Sequence, residues 1–165
     1  MAYLTDGTIG VDLTRTVAGT TTDGENAEFT LGSSHRGTDN TEWVYVQASA
    51  AIGQYDCVAI TEDFQATPMT KTLADVGHTP GFAQVAFSDN DLGWVCTNAS
   101  GNISVNVLAS CAADVQLYTT GTAGSLDDTS ASQTLIRGVV LVTAATDTAS
   151  TRECIAVHPS TTATP

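Results

Sequence analysis

Short apolar runs rich in Val, Ile, Thr and aromatic residues alternate with clusters of Gly, Asn, Asp and Thr along most of the chain. Runs of this length between turn-forming residues predict strands. They fall at residues 28–31, 43–48, 55–61, 82–87, 93–97, 103–108, 115–119, 135–143 and 154–158. Aspartate and asparagine bond their own backbone and glycine reaches left-handed φ, so Ser88-Asp89-Asn90-Asp91 and Asn98-Ala99-Ser100-Gly101-Asn102 predict turns. The second of these would join 93–97 to 103–108 as a β-hairpin. In Ile103-Ser104-Val105-Asn106-Val107 the apolar residues take one face and the polar residues the other. Val139-Val140-Leu141-Val142 is apolar on both faces, which predicts a central strand or one covered by an interface. Only residues 48–53 and 69–76 could hold a helical turn or two, and threonine weakens the second. Nine strands at this spacing predict an all-β fold, a compact β-sandwich or jelly-roll-like barrel.

The two ends break the pattern. Residues 1–26 are threonine- and glycine-rich, yet Ile9, Val11 and Leu13 alternate as a strand would. This segment reads as an extended N-terminal arm that docks on something. Residues 27–158 form the body, and 159–165 a short flexible polar tail. A length of 165 residues suits one such domain.

Composition narrows the possible partners. Lys+Arg number 5 against 18 Asp+Glu, a net charge of −13, although only 14% of residues are charged. The acidity therefore comes from missing cations: Lys71 is the single lysine, beside Arg15, Arg36, Arg137 and Arg152. Small uncharged residues dominate instead, with 28 Thr, 22 Ala, 14 Gly and 12 Ser. Nucleic-acid binding needs clustered cations that release phosphate counterions, and anionic membrane surfaces attract the same clusters. Neither partner is expected. A membrane-spanning helix would need about 20 consecutive apolar residues, and no stretch comes close.

The candidate chemistry is thin. Cys57, Cys96, Cys111 and Cys154 lie far apart, each in an apolar run, and read as small buried hydrophobes. The start of the chain has no basic or apolar signal region, which argues against disulfides. His35, His78 and His158 are too widely spaced to suggest a metal site. Asp89-Asn90-Asp91 and Asp127-Asp128 lack the spacing and bidentate Glu of a calcium loop. Ser33-Ser34-His35 lacks a nucleophile elbow and reads as a loop. No catalytic residue, metal or cofactor is expected. Trp43, Trp94 and Tyr118 lie inside strand patterns, where core packing is a stronger account than a sugar-binding platform.

In local pattern the chain resembles the small β-rich decoration, or cement, proteins of tailed-bacteriophage heads. The residues that carry the resemblance are Val76-Gly77-His78-Thr79-Pro80-Gly81-Phe82-Ala83, then Leu92-Gly93-Trp94-Val95-Cys96 leading to Gly101. Val115-Gln116-Leu117-Tyr118-Thr119-Thr120, Gly124-Ser125-Leu126-Asp127-Asp128 and Ile136-Arg137-Gly138-Val139 follow in order, so the resemblance spans about residues 40–143. It implies a structural virion protein without enzyme activity, on the outer surface of the capsid, assembled in the host cytoplasm. Its partners would be the major capsid protein, whose neighbouring subunits it cements, and itself, as a homotrimer. An acidic chain suits the side of the shell away from packaged DNA. With the arm along the capsid, Arg15, His35 and Arg36 are the expected polar contacts, because cations are scarce and these lie before or near the start of the body. The competing account is that they cap turns. The competing function is a receptor- or carbohydrate-binding module of a tail fibre or adhesin, which would expose an aromatic among Trp43, Trp94 and Tyr118.

Overall fold

The computed structural model describes residues 10–20, 27–37 and 40–161. Strands dominate: β1 (Thr16–Val17), β2 (Ser34–Arg36), β3 (Thr41–Ala48), β4 (Cys57–Ile60), β5 (Gln65–Pro68) and β6 (Thr79–Phe82) precede the long β7 (Leu92–Val107). After it come β8 (Gln116–Thr119), β9 (Leu126–Asp127), β10 (Leu135–Leu141) and β11 (Ser150–Thr161). The described helix, α1 (Lys71–Asp75), is capped by the Thr70 hydroxyl, which accepts from the Leu73 N–H at 3.3 Å. It lies within the expected turn at 69–76, whereas residues 48–53 are not helical. Among the described residues no helix is long and apolar enough to cross a membrane.

The pairings close two rings that share β7. On one side β3, β5, β4 and β6 return to β7. On the other, β11, β10, β8 and β9 do so. The expected all-β barrel is thus present, in doubled form. Side-chain alternation explains how both rings fill. Val46 and Ala48 of β3, Val58 and Ile60 of β4 and Val95 of β7 point into the first ring. Their neighbours Trp43, Tyr45, Cys57, Ala59, Trp94 and Cys96 point the other way, into the cluster that continues through Val105, Leu117, Ile136 and Cys154. β4 is accordingly buried at every position. The first ring is tight: a Cβ on Gly81 would lie 2.5 Å from Val95 Cγ1 and 2.9 Å from Ile60 Cδ1.

Residues 93–97 and 103–108 do not form the expected hairpin; they are parts of one strand. Two bulges, one at Thr97 and one between Ala99 and Ile103, stand where the turn was expected. Thr97 is an extra residue between the pairs Glu42↔Asn98 and Trp43↔Cys96. That single insertion swaps faces, so the set facing the larger cluster changes from Trp94 and Cys96 to Ala99, Ile103, Val105 and Val107. Between Ala99↔Ala156 and Ile103↔Cys154, β7 carries two more residues than β11. The strand therefore bends, giving its first half to β3 and its second to β11.

Other boundaries also move. Residues 28–31 are not a strand, because Phe29 packs edge-on against Tyr45 and Trp94 (5.4 and 5.1 Å between centroids). The strand lies instead at β2, where a loop was expected. Strand β6 ends at Phe82 rather than running to Phe87, which makes only an isolated bridge to Ile52. At the C-terminus β11 continues to Thr161, whose hydroxyl donates to the His78 carbonyl at 3.2 Å. The tail expected from 159 is thus strand as far as 161, and 162–165 lie outside the described residues. Of the N-terminal segment, residues 10–20 are described; β1 pairs Thr16 with Gly93 and Val17 with Leu92. Val11, Leu13 and Val17 pack on the body's own core. Ile9 and residues 21–26 fall outside the described set.

Candidate functional site

Of the three residues expected to make contacts, His35 joins the aromatic cluster of the body and Arg15 pairs beside it with Glu28, whereas Arg36 faces the other side of β2. Trp94 is the centre of that cluster, with Tyr45 at 5.0 Å, Phe29 at 5.1 Å and His35 at 4.9 Å, all edge-on. Such pairs contribute about 0.5–1.5 kcal/mol beyond the area they bury. His35 therefore serves as a half-buried lid on Trp94 and Phe29, neither a turn cap nor a free surface group. The Tyr45 hydroxyl accepts from the Glu28 N–H at 3.4 Å, and burial followed by the nearby Glu28 carboxylate raises its pKa.

Arg15 pairs with Glu28 at 2.6 Å, and Arg36 with Glu42 at 2.9 Å. Both guanidinium groups are largely exposed (60% and 74%), so each pair contributes about 0–1 kcal/mol. They stay accessible while their charge is balanced at home. Lys71 likewise pairs with Asp75 across one helical turn. Residues 10–13 and 35–37 border a groove of about 390 Å³, which brings His35 and Arg36 beside the arm; Arg15 lies outside it.

A larger groove of about 680 Å³ opens at one mouth of the first ring. Val44, Ile60, Phe64 and Val76 are among its lining residues, with Glu62 and His78 supplying ionisable groups. A third feature is the outer face of β10 and β11. Val140 (37% exposed) pairs directly with the half-buried Ile155, and Val157 (44% exposed) follows two residues on. Arg137, Arg152 and His158 belong to the same two strands. The apolar run 139–142 signalled this face in the sequence; the larger groove had no such signal, because its walls come from five separated segments.

Trp43 and Trp94 are buried (8% and 1% exposed), so neither offers a face to a sugar, and Tyr118 is half-buried. The Trp43 indole N–H donates instead to the Thr41 hydroxyl at 2.7 Å. All four cysteines are buried free thiols. Burial pushes Cys57 up strongly, and Cys96 and Cys154 up to about 12; Cys154 is close enough to the other two for their charges to matter. Cys111 is raised to about 11, first by burial and then by Asp128 and Asp127. Those three residues place ligand atoms within 4.8 Å of one another, a convergence that sequence spacing did not reveal. The Asp128 carboxylate accepts from the Ala112 N–H at 2.9 Å, which ties the loop after β9 to the Cys111 turn.

No protein-family model matches the sequence, and no curated protein does either.

Proposed function

We propose that the chain is a structural virion protein that binds the outer surface of a phage head and cements neighbouring major capsid subunits. The observation that carries this reading is the outer face of β10–β11. It is an apolar strip, Val140–Ile155–Val157, on strands that also hold two of the five cations of a chain at −13. Exposed apolar residues set together on one outer face suit contact with another protein surface, either a shell subunit or another copy in a trimer. The doubly closed β body supplies rigidity, and the overall acidity suits an outer surface. A module that binds only the assembled lattice stabilises it by mass action, about 4.1 kcal/mol per site at 1,000 times its dissociation constant.

The test uses heads assembled without the chain, to which purified protein is added before sedimentation. The intact chain should pellet with heads in hundreds of copies and raise their disruption temperature. Val140→Asp/Val157→Asp should fold, because both side chains face outward, yet stay in the supernatant. Undiminished pelleting of that variant would remove the β10–β11 face from the reading. Recovery of only a few copies, with the tail, would favour a receptor-binding module instead.

A further inference from the structure

Among the described strands β2 ends the sheet: it pairs with β3 and with no other. The Ser33 carbonyl accepts from the Tyr45 N–H at 2.8 Å, and the Gly37 N–H donates to the Thr41 carbonyl at 2.8 Å. Antiparallel alternation then turns the backbone groups of Ser34 and Arg36 away from β3, towards the open side. An edge of this kind is a template for another strand. It is flanked by grooves on both sides, since Ser34 lines the larger and His35 and Arg36 the smaller. A segment laid along β2 would send alternate side chains to the two faces.

The larger groove has its own character. Val76, on its wall, is 65% exposed, the most exposed large apolar residue described. Phe64, also on its wall, holds φ +58°, a left-handed backbone that a bulky residue rarely adopts. Its ring packs against Gly32, beside β2, where a Cβ would come within 2.4 Å. Strain of this kind persists only where surrounding structure enforces it, and it concentrates at binding sites. Glu62 and Asp63 occupy the same turn, exposed and without an ion pair or hydrogen bond among the described residues.

We propose that the free edge of β2 is a docking strand for an extended segment of a partner protein, which seats an apolar side chain in the larger groove and a lysine or arginine against Glu62 and Asp63. Main-chain bonds to Ser34 and Arg36 would supply affinity and the groove specificity, the logic of strand addition. Charge complementarity selects the partner: the lip is acidic, and so is the whole chain. This surface is separate from the β10–β11 face, so the two proposals can fail independently.

The probe is an acetylated, amidated heptapeptide with valine at its centre, lysine two positions to either side and threonine elsewhere. This spacing puts valine and both lysines on one face. Titrated into the intact chain, it should shift the amide resonances of Ser34, Arg36 and Thr97. A peptide N-methylated on its bonding edge should bind at least about tenfold more weakly, as should one with glutamate in place of lysine. Ser34→Pro removes one outward N–H at an edge position that tolerates proline, so it should weaken binding similarly while far-ultraviolet circular dichroism stays unchanged. Glu62→Lys/Asp63→Lys should invert the preference between the lysine and glutamate peptides. Four results would overturn the proposal: no binding at about 1 mM peptide, equal binding of the N-methylated peptide, shifts confined to other surfaces, or indifference to Ser34→Pro. Concentration-dependent self-association abolished by Ser34→Pro would assign the edge to a second copy and equally overturn it.

Discussion

Gly138→Ala should destabilise the protein far more than a one-carbon addition suggests. Gly138 has φ +77° and sits where the β10–β11 register jumps from Arg137↔Ser160 to Val139↔Ala156. On the partner strand His158 also has a positive φ, and its N–H is held by Asn98 Oδ1 at 2.8 Å, so the step is fixed from β7 as well. A Cβ at Gly138 would lie 2.3 Å from the Val157 carbonyl oxygen, a backbone atom that cannot rotate away. The left-handed conformation costs alanine about 1–2 kcal/mol. Weakening one inter-strand hydrogen bond as the carbonyl retreats adds about 0.5–1.5 kcal/mol. The expected loss is about 2–3 kcal/mol, or about 4–12 °C in Tm for a domain of this size. Gly121→Ala is the control, since a Cβ there meets nothing within 4 Å and φ is not left-handed; it should stay within about 0.5 kcal/mol of the parent. Urea unfolding followed by tryptophan fluorescence measures both. If the two variants unfold within about 0.5 kcal/mol of each other, the bulge is not the constraint described.

With Cys111 held near 11 and the other three thiols higher, only about one native thiol in a thousand is ionised at pH 8 even at the most acidic site. A disulfide-exchange reagent should therefore leave the native protein unlabelled and titrate four thiols in denaturant; rapid native labelling would contradict the burial. Because the folded thiols keep their protons above the unfolded value of about 8.5, the native state binds more protons than the unfolded state at alkaline pH. Stability should be fully present below about pH 8.5 and fall as pH rises towards 11–12, with Tyr45 adding to the fall above about pH 10; a flat urea midpoint from pH 8 to 11 would refute this. Iodide should barely quench native tryptophan emission, whereas quenching like that of the unfolded chain would mean that Trp43 and Trp94 are exposed. Arg15→Gln and Arg36→Gln should each change stability by less than about 1 kcal/mol, as denaturant melts can show; a larger loss would mean that these pairs hold the arm and β2 in place.

The fold class was legible because alternation survives within each short segment. Connectivity was less so, and β7 shows why. Asn98-Ala99-Ser100-Gly101-Asn102 carries the same residue chemistry whether it reverses a chain or bulges a strand. Only the distant partners, β3 for one half and β11 for the other, decide between them. β2 was hidden for a related reason: Ser34-His35-Arg36 has no apolar signal, and its strand geometry is imposed by the register with Glu42, Trp43 and Val44. Conversely, Phe29 looked like part of a strand because aromatic residues favour strands, yet its ring acts as a plug against Trp94. At the candidate site, scarcity of cations pointed to Arg15 and Arg36, but scarcity cannot show that Glu28 and Glu42 lie beside them. The face at Val140 was legible because an apolar residue on the wrong side of a strand needs no knowledge of distant partners.

Closure of the two rings determines where the chain can meet another molecule. Each ring returns to β7, which removes the edges that an open sheet of this many strands would expose. Along the described strands the free edges are those of β1 and β2, and β1 is two residues long with its side chains half-buried. Among the described strands, addition of a partner strand is thereby restricted to β2. Two of the exposed large apolar residues, Val140 and Val157, lie on β10–β11, and the strained turn, whose carboxylates have no partner among the described residues, lies beside β2. The cations separate in the same way: Arg15, Arg36 and Lys71 have carboxylate partners of their own. Arg152 instead donates to the carbonyls of Ala144 and Thr151, which hold its guanidinium without neutralising it. Arg152 pairs with the buried Val105 and shares its side of β11 with the buried Cys154 and Ala156, so the outward strip Val140–Ile155–Val157 offers a partner apolar contact and not that guanidinium.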